Sequence, residues 1–126
     1  MAFQPVQFYE LASTLYRDEP GNEAALRTVV SRAYYGAFLA ARESASIRTT
    51  SGRVHEAVIQ HFHTQGRMKV ANRLGDLRTL RNEADYDLGV PVTSRQAGTA
   101  LQRAQALLQD LQVLPPPTTP QKTDAR

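Results

Sequence analysis

The segment that most narrows the possible folds runs from Glu23 to Ser46, with no proline and with apolar groups on more than one side. As a helix it gathers Leu26, Val30, Ala33, Ala37, Ala40 and Ala41 on one face at about 100° per residue, with Tyr34 and Phe38 at one margin. The small side chains let another helix approach closely. Tyr35 and Leu39 lie opposite, flanked by Arg32 and Arg42. A helix with apolar groups on two sides is central in its fold, or lies between its own core and a partner. Tyr34 and Tyr35 are read first as core and rim packing, each hydroxyl finding water or a polar neighbour.

Around it the periodicity gives four more helices and no strand. The first spans about Pro5–Arg17, with Phe8, Leu11, Ala12 and Leu15 on one stripe, and "RDEPGNE" breaks it. The third spans about Gly52–Thr64, with Val54, Ala57, Val58 and His61 on one side, after the turn "TTSGR". The fourth spans about Lys69–Tyr86. The last opens at Thr93 or Ser94, good N-cap residues after Pro91, and runs to about Val113. In it Ala97, Leu101, Ala104, Leu108 and Leu111 recur every three or four residues, the mark of one apolar face. The expected fold is all-α, a four- to five-helix up-and-down bundle over residues 1–113, with a disordered proline-rich tail at 114–126.

A chain of 126 residues is one domain's worth, with a small core that a second subunit would help to cover. It has no cysteine, which excludes disulfides and thiolate metal sites and suits a reducing, cytoplasmic setting. The start "MAFQPVQFYE" lacks the basic-then-apolar pattern of a signal peptide, and no stretch is apolar enough to span a bilayer. Net charge is +3, but unevenly placed. From Arg48 to Arg81 there are seven arginines and lysines against Glu56 and Asp76, a local charge of +5. Such a segment either attracts an anionic partner or is a solvated arginine-rich surface.

On the fourth helix Val70, Leu74, Leu77, Ala84 and Leu88 define the apolar stripe, and Arg81 falls on it, about 20–40° from its centre. A buried arginine needs an acid, a phosphate or carbonyl groups. Asp85, one turn on, can pair with it. Tyr86 is rotated by about 140° from Arg81, so a regular helix turns it to another face.

The stretches "SRAYYGAFLAAR" (Ser31–Arg42) and "LRTLRNEADY" (Leu77–Tyr86) together resemble the HEPN family of small helical proteins, over roughly Glu23–Leu111. The resemblance implies a four- or five-helix bundle that commonly dimerises, often beside a small nucleotidyltransferase in toxin–antitoxin or defence contexts. Its catalytic members are metal-independent ribonucleases that pair an arginine with a histidine after four to six intervening residues. The arginine holds phosphate and the histidine moves protons. Arg81 matches the arginine; Tyr86, Asp87 and Leu88 stand where the histidine is expected, which favours binding over cleavage.

The resemblance makes Arg81, with Asp85 and Tyr86 beside it, the candidate catalytic group; the basic residues make Arg73, Arg78 and Arg32 the candidate nucleic-acid contacts. Tyr35 and Leu39 are the candidate dimer face. The expected partners are a second copy, RNA or a nucleotidyltransferase, with a plain helical adaptor as the rival role. No cofactor is expected, since there is no Gly-rich phosphate loop and no nucleophile elbow. No metal site is expected either: His61 and His63 are two apart and face opposite ways, and His61 reads as a core residue. His55 or His63 would serve Arg81 only if the fold brought them to it.

Overall fold

Every other helix packs on α2 (Glu23–Ala45), and the reason is visible in its surface. Ala33, Ala37 and Ala41 are fully buried, and Val29, Val30, Tyr34 and Phe38 fill the space around them. Asn22 opens this helix by accepting the Ala25 N–H at 3.2 Å. The computed structural model describes residues 2–117 and is all-helical: α1 (Val6–Asp18), α2, α3 (Val54–Thr64), α4 (Met68–Tyr86) and α5 (Ser94–Asp110), with no strand among the described residues. Besides α2, α1 meets α5, and α4 meets both α3 and α5. None of these helices is long and apolar enough to cross a membrane.

α5 follows its sequence pattern closely. Thr93 is its N-cap and forms a reciprocal capping box with Gln96. Ala97, Ala100, Leu101, Ala104, Leu107 and Leu108 are buried, and each of the leucines contributes about 2 kcal/mol of burial. Three helices close alike, with a left-handed residue and a bond back across the last turn. These are Ser46 (φ 55°), Gly66 (φ 76°) and Gln112 (φ 63°), followed by Ile47 N–H to Arg42 O, Arg67 N–H to Phe62 O and Val113 N–H to Leu108 O.

Three expected stripes are corrected. Leu11 is 53% exposed, and α1 instead packs Tyr9, Ala12 and Tyr16 inward. In α3 the buried residues are Val58 and Phe62, while His61 is half-buried with its ring edge-on to Phe62. Leu88 lies past the end of α4 and is 82% exposed. In α1 and α3 the packing partner sets the helix phase, which periodicity gives only to within a residue; at Leu88 the helix has already ended. Of the expected tail, residues 118–126 lie outside the described residues. Leu114 is half-buried and its N–H reaches the Leu108 carbonyl.

Candidate functional site

Arg81 occupies a core position on α4, between the buried Leu77 and Ala84, and is itself 6% exposed. Three aromatic rings surround its guanidinium: Cζ lies 5.3 Å from the centre of Tyr34, 5.2 Å from Tyr35 and 5.8 Å from Tyr86. Such faces attract a cation more strongly once water is excluded. Its acid is less close. Asp85 Oδ2 stands 3.8 Å from Arg81 Nη1, an ion pair without a hydrogen bond. That carboxylate also accepts from Ser31 Oγ at 3.3 Å, and Ser31 Oγ accepts from Arg32 Nη2 at 3.2 Å. The Nε–H of Arg81 is buried without an acceptor among the described residues.

α2 and α3 complete the arrangement. The adjacent Tyr34 and Tyr35 rings meet edge to face at 5.2 Å, and Arg32 Cζ lies 5.0 Å from the Tyr35 ring on the outer side. Tyr34 is buried, and its hydroxyl shares a hydrogen bond with Nδ1 of His55. The His55 ring stacks on Phe38 with centres 4.3 Å apart. Burial, and then the positive charges of Arg78 and Arg81, hold its pKa below the ordinary histidine value, with Glu56 acting in the opposite direction. Burial pushes the Tyr34 phenol well above its ordinary range, so it stays neutral at physiological pH. Arg78, one turn before Arg81, stands 3.8 Å from Glu56 Oε1, and its Nε–H is also buried without an acceptor among the described residues.

The structure therefore gathers most of the residues singled out in the sequence. Arg81, Asp85, Arg78, Arg32 and Tyr35 meet where α2, α3 and α4 converge. Tyr86 joins them despite its expected orientation. It is 73% exposed, but its long side chain brings the ring back over Arg81 from the helix end. Arg73 does not join; it pairs with Asp110 of α5. Leu39, one turn from Tyr35, lines a separate hollow of about 620 Å³ with Phe3, Arg42, Leu111 and Val113. Among the described residues no three histidine or carboxylate groups converge as metal donors would.

Ser31 and Glu56 were not singled out in the sequence, and His55 was tied to Arg81 only on condition that the fold brought the two together; both now face the Tyr34 ring. His55 had a signal: it stands three residues before Val58 and seven before Phe62, on one helical row. A stripe drawn through Phe62 instead of His61 would have carried His55 toward the core. Chemically, the junction has more cationic donors than close acceptors, with aromatic surface at its rim. That combination suits a phosphate group with a flanking base. No family model, no curated protein and no solved structure matches the chain.

Proposed function

We propose that this chain is a HEPN-like helical protein of a toxin–antitoxin or defence setting that binds the phosphate backbone of RNA at the junction of α2, α3 and α4. The observation that carries the reading is the placement of Arg81. It is a buried guanidinium between Tyr34 and Tyr35, with its acid at 3.8 Å and its Nε–H unpartnered among the described residues. The two stretches on which the HEPN resemblance rests are thus the two that pack together here. Arg78 and Arg32, 30% exposed and half-buried respectively, give the site charge that reaches solvent. In this reading the working unit is a cytoplasmic homodimer, with the Tyr35 and Leu39 face against a second copy. A nucleotidyltransferase is the alternative protein partner.

The test is binding of single-stranded RNA across a salt series. Replacing Arg78 by alanine should weaken binding and lower the salt slope by about 0.7, the value of one released phosphate contact. Binding that ignores both salt and Arg78 would leave the junction a structural cluster and favour the plain adaptor.

A second reading, metal-independent RNA cleavage, is favoured by the position of His55. An imidazole beside two arginines has the chemistry to take the proton of a ribose 2′-hydroxyl as its oxygen attacks phosphorus. The P–O5′ bond then breaks, a cyclic phosphate forms, and the proton passes to the leaving 5′-oxygen. Against it, no histidine follows Arg81 at the motif spacing, and the Nδ1 of His55 is already engaged by Tyr34. Cleavage products from the RNA of the salt series, lost in His55→Gln but kept in Tyr86→Phe, would establish this second reading.

A further inference from the structure

The junction of α2, α3 and α4 has an imbalance that binding of a phosphate would remove. Arg78 and Arg81 lie one turn apart on α4, and each has a buried Nε–H without an acceptor among the described residues. The acids facing them, Glu56 and Asp85, each stand at 3.8 Å, too far for a hydrogen bond. His55 shares the aromatic surface with these cations. Its ring centre is 5.7 Å from that of Tyr34 and 6.4 Å from that of Tyr35, the two rings that also face Arg81. Among the described residues its hydrogen-bond partner is the Tyr34 hydroxyl, at Nδ1.

Resting on the phosphate-binding reading above, we propose that this junction is a proton-linked phosphodiester site, in which a phosphate held by Arg78 and Arg81 draws a proton onto His55. The groups that face the imidazole decide the sign. From α2 come Tyr34 and Tyr35; from α4, Arg78 and Arg81; on α3 itself, Glu56. In the free protein the two arginines and burial oppose a charge on His55, and Glu56 alone favours it. A bound phosphodiester adds a negative charge among the arginines, so their repulsion of the imidazolium is offset. The hydrogen bond survives the change. A neutral His55 accepts from the Tyr34 hydroxyl at Nδ1, whereas an imidazolium donates there and the hydroxyl turns to accept. A phosphodiester has a fixed charge in this range, so the only proton counted is the protein's.

Linkage then sets the pH dependence. Affinity rises as pH falls from about 8, because the bound form holds the proton more tightly, and levels off once His55 is charged in both forms. A rise of one in the His55 pKa on binding corresponds to about tenfold tighter binding at the acid plateau than at the alkaline one.

The probe is a 2′-O-methyl oligouridylate, which lacks the attacking hydroxyl and so reports binding without turnover. Titration calorimetry of the full chain near neutral pH, in two buffers of different ionisation enthalpy, counts protons taken up on binding. Uptake of a fraction of one proton per site is expected. It should vanish in His55→Gln and persist in His63→Gln. Histidine ring NMR of the wild type, with and without the oligomer, should show the His55 titration moving to higher pH while those of His61 and His63 stay. This measurement decides the matter even where His55→Gln folds poorly. Binding without proton uptake, uptake retained in His55→Gln, or an unmoved His55 titration overturns the proton linkage and leaves the phosphate-binding reading standing. Absence of binding throughout the pH range overturns both.

Discussion

The guanidinium of Arg27 donates to the backbone carbonyl of Ala84 at 2.9 Å, joining the first turn of α2 to the last turn of α4. The same side chain also reaches the carbonyls of Glu83 and Asp87 at 3.3 Å and of Val90 at 2.7 Å, and pairs with Glu23 at 2.9 Å. Four carbonyls at and beyond a helix end are thus met by one cation, those of Glu83 and Asp87 also accepting the Asp87 and Val90 N–H groups. Glu23 in turn accepts the Val92 N–H, and that bond, followed by Arg27, holds its carboxyl below the ordinary glutamate range. Replacing Arg27 by methionine keeps most of the packing and removes these donors. The expected cost is about 2 kcal/mol, read as a lower urea midpoint with unchanged slope. Hydrogen exchange at the Val90 amide should accelerate more than exchange in α5.

Asp85 has a different task, since it offers the nearest negative charge to Arg81 while also accepting from Ser31. Asp85→Asn keeps an acceptor for Ser31 but leaves the buried guanidinium with aromatic faces alone. A loss on the order of 1–3 kcal/mol is expected, because removing the solvent-facing partner of the pair strands the buried guanidinium. A urea midpoint equal to wild type would show that the three tyrosine rings suffice.

Two glycines should respond to alanine in opposite ways. A Cβ on Gly36 would stand 3.0 Å from the backbone nitrogen of Tyr9 and 3.3 Å from the Pro5 carbonyl oxygen, so α1 must shift. Overpacking of about 1–3 kcal/mol exceeds the helix-propensity gain of about 1 kcal/mol, and Gly36→Ala should be less stable than wild type. A Cβ on Gly75, inside α4, meets nothing within 4 Å. Gly75→Ala should gain roughly 0.5–1 kcal/mol. Thermal midpoints of the two variants, moving in opposite directions, are the check.

These residues also show what the sequence could and could not disclose. Arg81 was legible because a charge on an apolar stripe is conspicuous, and α5 because Thr93, Gln96 and a regular leucine–alanine row state its start and its buried face. The phases of α1 and α3 were not legible. Tyr9 and Tyr16 against Leu11, or Phe62 against His61, are choices that only the neighbouring helix makes. The turns at Ser46 and Gln112 have left-handed backbones without the glycine that would announce them. Arg27 meets Ala84 across 57 positions, and no local pattern encodes that distance. His55 could be named only conditionally for the combined reason: its role needs the phase of α3 and the position of Tyr34 together.

Dimerisation can be checked directly. Leu39 is half-buried at the edge of a hollow that includes the 55%-exposed Phe3 and the 42%-exposed Val113. If this face meets its copy, light scattering at micromolar concentration should return about twice the monomer mass of 14.0 kDa. Leu39→Glu should return the monomer mass, since a charge placed against its own symmetry mate is repelled and desolvated. A wild-type mass of one subunit at every concentration would remove this face from consideration as a dimer contact.

The last expectation concerns stability against pH. His55 has its folded pKa held below the ordinary value of 6.5, mainly by burial and then by Arg78 and Arg81. The unfolded chain therefore binds the proton first as pH falls. Stability contributed by the neutral imidazole is fully present above that ordinary value. It declines as pH drops through it and stops declining once the folded protein is protonated too. Glu23, with its pKa depressed from 4.5, loses its own contribution only at lower pH, as pH falls through its folded value. Between about pH 7 and pH 5 His55 therefore contributes a falling slope. Urea unfolding of wild type should show a falling midpoint over that interval, and His55→Gln a flatter one, whatever its absolute stability. If His55→Gln retains the full wild-type decline, the proton that destabilises the fold is taken up at another residue, and the His55–Tyr34 contact does not depend on a neutral imidazole.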